Sequence, residues 1–180
     1  MYNIGKHCGR VLLWLLLSEI LCLILAFSFA ILRAEWVRWL SLICGAAAHV
    51  LLMASCGKQI AHADVAAYRS EGVKVSRVKP VLLGICAAVP LWVLWVLLKL
   101  NDQSSAFLNI YLLLNAPYIQ FHRLMLDGAE PFSAVTTGRQ MLMALPPVLT
   151  AIAVYVGYQL QYQPEKAALD AQKADGNSLG

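Results

Sequence analysis

The chain has 180 residues, 60% of them hydrophobic and 13% charged, with a net charge of +4 and a mean hydropathy of +0.65. A soluble domain carries charge on about 25% of its residues, so too few polar side chains are present here to clothe a water-facing surface. That excludes a soluble globular enzyme and a nucleic-acid-binding module, and it points to an integral membrane protein whose first partner is the lipid bilayer.

Residues 1–10 form a short basic lead with Lys6, His7 and Arg10. Two apolar runs of about 22 residues follow between Val11 and Gly57, separated only by Arg33-Ala34-Glu35. A helix rises about 1.5 Å per residue, so each run reaches roughly 33 Å and can cross a bilayer core of about 30 Å. The pattern predicts a transmembrane hairpin with helices at about 11–32 and 36–57. The first run is too long for a cleaved secretory signal, and Glu19 is foreign to the core of one. Trp36, Arg38 and Trp39 suit the headgroup level at the start of the second helix. Small residues collect in its middle, and Ser41 with Gly45 supplies a packing face that could join another subunit or a second copy.

Residues 58–79 are the longest polar connection. Its first half lacks a helix breaker and is expected to prolong the second helix until Gly72 stops it. Lys58, Arg69, Lys74, Arg77 and Lys79 are candidates for contact with anionic lipid headgroups, each worth about 1 kcal/mol near a charged leaflet. A third helix is predicted at about 80–98, opened by Pro80, and a fourth at about 105–126 after the polar turn 101–105. Asn109, Asn115 and Pro117 interrupt the fourth, so it reads either as a kinked span or as a re-entrant element. His122 and Arg123, with Asp127 and Glu130, gather charge at its end, placed by five-span topology at the inner membrane edge. A fifth helix covers about 140–160, and the polar tail 161–180 is expected to be disordered.

The fold expected is therefore all-α: one polytopic domain over 1–160, a bundle of five transmembrane helices, with four spans plus a re-entrant segment as the alternative. With the amino end inside, inner segments hold nine lysines and arginines against three in the outer turns. This bias predicts a cytoplasmic amino end and an external carboxyl end, and short loops suit a bacterial cell membrane.

Glu19 and His49 lie fifteen residues either side of Ala34. Antiparallel neighbours would bring them to one depth, and Asn115 falls near the same level. An acid there is expensive unless paired, neutralised or wetted, so Glu19, His49 and Asn115 form the candidate substrate or proton site. The plainer reading is a buried polar clasp between helices. His49, Met53 and Cys56 share one helix face, but a second ligand set is lacking, so no metal is expected. The five cysteines lack paired spacing and read as buried packing material. No HExxH, GxSxG, phosphate-cradling loop or dinucleotide turn occurs, so no cofactor or catalytic residue is assigned. Three functions remain: a non-enzymatic component of a membrane complex, a small transporter or channel using the Glu19 level, and an intramembrane enzyme.

Overall fold

A computed structural model describes residues 3–31, 34–72, 76–129 and 131–177, and every regular element in them is helical. Four long helices dominate: α1 (Ile4–Ala30), α2 (Glu35–Glu71), α3 (Lys79–Leu100) and α7 (Pro146–Asn177). Between α3 and α7 lie three short ones: α4 (Ser105–Leu113), α5 (Ile119–Leu126) and α6 (Thr137–Leu142). Four helices are long and apolar enough to cross a membrane, α6 running into α7 in the last of them.

The expected hairpin forms, with α1 and α2 antiparallel. Ser18 meets His49 deep in the bundle, and the Cys22 thiol donates to the Gly45 carbonyl nearer the turn at 3.4 Å. The last turns of α2 end as read, at Gly72, whose φ of 66° only glycine adopts without strain and whose N–H closes on the Tyr68 carbonyl. Helix α7 runs parallel to α2. Their backbones touch at Gly57 and Gly157, where an added Cβ would overlap the carbonyl of Val154 or of Ala54. In lipid such close approach lets dispersion and weak polar contacts hold helices together. Helix α3 packs antiparallel to both, with the Trp92 and Trp95 indoles donating to the carbonyls of Ala144 and Gln140.

The segment predicted as helix four is not one continuous helix. Ser104 caps α4, which ends at Leu113, and a single 3₁₀ turn at Ala116–Tyr118 separates it from α5. Pro117 has no N–H to give a helical ladder, and the Ala116 N–H leaves the helix for the Glu19 carboxylate. Pro117 fits because Gly45 opposes it: an added Cβ there would lie 3.1 Å from the Pro117 carbonyl oxygen. From that depth α5 turns back, so that Asp127 and Gly128 border one cleft with Arg38 and Trp39 at the start of α2. Helices α4 and α5 thus form a re-entrant hairpin, the alternative arrangement expected for this stretch.

One consequence reverses the expected placement of the ends. An even number of spans brings both chain ends to the same end of the bundle, where His7 of α1 approaches Asp64 of α2 and Glu165 of α7 meets His62. The carboxyl end is therefore not opposite the amino end. His122, Arg123 and Asp127 likewise belong to the other end from the one expected, and Glu130 lies outside the described residues. Residues 161–177, expected as a disordered tail, continue α7.

Candidate functional site

The candidate residues meet where α1, α2 and α7 surround the tip of the α4–α5 hairpin. His49 is fully buried, with Nδ1 2.8 Å from the Ser18 hydroxyl and Nε2 2.8 Å from the Thr150 hydroxyl. Thr150 also lies 3.3 Å from the Pro146 carbonyl one turn back. Assigning the Thr150 proton to that carbonyl makes its oxygen the acceptor of His49 Nε2–H and leaves Nδ1 to accept from Ser18. One imidazole thereby ties three spans together. The Tyr118 ring lies edge-on to it, with centroids 5.5 Å apart.

Glu19 lies beside this group but does not pair with His49. Its carboxylate accepts the Ala116 N–H at 3.1 Å and so holds the tip of the hairpin. Asn115 is buried and turns its amide onto the Tyr111 carbonyl at 3.0 Å, closing the end of α4. The fold brings the three residues to one neighbourhood and gives each a different partner. A serine donating to a histidine is the hydrogen bond that a hydroxyl nucleophile uses. Here both residues are wholly buried, and the group behind the imidazole is a hydroxyl in place of a carboxylate. The arrangement suits fixing helices better than attacking a substrate.

Other expectations change. Lys79, a candidate for lipid contact, is buried with its ammonium 2.7 Å from Asp64. Lys58, Arg69 and Arg77 are exposed, and Lys74 lies outside the described residues. Ser41 and Gly45 are buried within the chain, so the hairpin tip and α1 occupy the face expected to meet a partner. His49, Met53 and Cys56 share a buried stripe, and among the described residues no three His, Cys, Asp or Glu side chains converge as a metal site.

Sequence reasoning missed a second polar centre, around Asp64. Its carboxylate takes Lys79 on one oxygen and the Tyr158 hydroxyl on the other, each at 2.7 Å, with His7 Nε2 at 3.6 Å. All four helices therefore meet at one buried acid. The signal was present, since Met53, Cys56, Ile60 and Asp64 continue the buried stripe of α2 at helical spacing. His122 is also fully buried, packed against Tyr111 and Phe121, and neither ring nitrogen has a partner among the described residues. Compared with known protein families, curated proteins and solved structures, the chain matches none.

Proposed function

We propose that the protein is a non-enzymatic component of a membrane assembly, presenting the paired ends of α2 and α7 to another subunit or to a second copy. The observation that carries this reading is the length of these two helices. Helix α2 has 37 residues and α7 has 32, or roughly 55 and 48 Å, against a bilayer core of about 30 Å. Past the bundle the two stay side by side, joined by His62 to Glu165 at 3.0 Å and by Tyr68 to Asp170 at 3.2 Å. A mostly polar helix pair that projects from a bundle suits bridging to another body. The chain ends and the α2–α3 connection on this side hold nine of the 14 lysines and arginines and the other side holds five, which favours a cytoplasmic projection in a bacterial cell membrane.

The test places a photo-crosslinking residue at the exposed Ala66 and follows the native size of the protein in gently solubilised membranes. The reading expects a discrete assembly larger than the monomer and cross-links to one defined chain. A monomer with no specific cross-link would sink it.

A transport reading draws support from the re-entrant hairpin, since broken helices that meet an acid at mid-depth are the sites of many carriers. Glu19→Gln keeps an oxygen for the Ala116 N–H and so preserves the fold. Loss of a pH-dependent flux in liposomes bearing that variant would favour transport; the assembly reading expects no such flux in either protein.

A further inference from the structure

The end of the bundle remote from the chain termini carries an open cleft between the start of α2 and helix α5. It measures about 350 Å³, and a neighbouring hollow of about 400 Å³ reaches toward the end of α1. Arg38, Gln120 and Arg123 border both, so these three residues form the shared wall. Neither arginine pairs with an acidic side chain among those described, which leave out Glu35 and Glu130. The acid of the cleft, Asp127, is engaged by Arg139 at 3.0 Å. Two arginines bordering one cleft carry like charge that an anion between them would offset, and the fork of N–H donors on each matches phosphate oxygens.

The surroundings name the carrier of that phosphate. Trp39 and Leu124, both half exposed, line the same cleft, and exposed Trp36 stands one turn away at the belt where headgroups meet acyl chains. Charge at the rim with apolar walls below describes an amphiphile lying in the leaflet. This side is also the one on which the orientation rule thins out lysine and arginine, so membrane topology gives no reason for two arginines to border one cleft.

We propose that Arg38, Arg123 and Gln120 bind the phosphate headgroup of an anionic phospholipid in the leaflet opposite the chain termini. The proposal is independent of the projecting helix pair. The probe is phosphatidylglycerol added to the detergent-purified full chain, read by native mass spectrometry, with phosphatidylcholine as the uncharged-headgroup comparison and inorganic phosphate as competitor. The wild-type chain should retain one phosphatidylglycerol in preference to phosphatidylcholine. Arg38→Gln with Arg123→Gln should weaken retention about 30-fold, reckoning roughly fivefold for each basic residue at a charged leaflet. Because both side chains lie at a surface cleft, the helical circular dichroism of the variant should match wild type; Arg123→Lys, which keeps the charge and loses the fork, should retain an intermediate amount. Lys6→Gln, in the exposed first turns of α1 at the other end, should leave retention unchanged. Equal retention of both lipids, survival of the adduct in the double arginine variant, or displacement by millimolar inorganic phosphate would each overturn the proposal, the last by marking a site for free phosphate.

Discussion

The two ends of this bundle treat charge in opposite ways. At the end shared by the chain termini, Asp64 sits in a buried junction of four helices, with Lys79 and Tyr158 in contact and His7 close by. At the other end, Asp127 and Arg139 form an exposed pair beside a cleft bordered by Arg38 and Arg123, which pair with no acidic side chain among the described ones. The same residue types act as a fastener in one place and as an open receptor in the other. Burial decides which: removing one member of a buried pair strands an uncompensated charge, whereas a surface pair trades readily with water.

Variants at the two ends should separate this contrast, beginning with backbone contact. Gly157→Leu drives a side chain into the Ala54 carbonyl, so α7 must leave α2. We expect loss of the folded bundle, seen as an absent cooperative thermal transition in detergent. Lys79→Ala should destabilise by about 3–5 kcal/mol, because Asp64 stays buried without its cation, and a double variant Asp64→Leu with Lys79→Leu should recover much of that loss. His49→Ala breaks the bonds to Ser18 and Thr150, but each hydroxyl can turn to a carbonyl of its own helix, so about 1–3 kcal/mol is expected. Arg139→Gln should change stability by about 1 kcal/mol or less. Denaturation in a single detergent ranks the variants that fold, and an Arg139 effect as large as that of Lys79 would dissolve the contrast between the ends.

Much of the fold was legible because hydrophobic length is a local property. The α1–α2 hairpin, the stop at Gly72 and the opening of α3 near Pro80 follow from runs and breakers that lie next to each other in sequence. The α4–α5 hairpin was harder. Its 22 residues have the length of a span, and what turns the chain back is a set of distant contacts: Glu19 on the Ala116 N–H, and Gly45 making room for Pro117. The candidate site was half legible for a similar reason. Counting from a hairpin turn gives depth, so Glu19 and His49 were placed near one level. It does not give rotation about each helix axis, and rotation sends His49 to Ser18 and Thr150 while Glu19 faces the hairpin tip. The Asp64–Lys79 pair is hidden because residues 58–79 read as a polar connection with Lys79 facing headgroups, although the buried stripe of α2 runs straight to Asp64.

The proposed topology has four spans, with the α2–α7 projection and both chain ends in the cytoplasm. Reporters fused to the carboxyl end in bacterial cells test this directly, since a green fluorescent protein lights only inside and an alkaline phosphatase is active only outside. Bright fluorescence with an inactive phosphatase is the predicted result. An active phosphatase at the carboxyl end, paired with an amino end that reports from inside, would require an odd number of crossings and contradict the re-entrant hairpin and the projecting helices together.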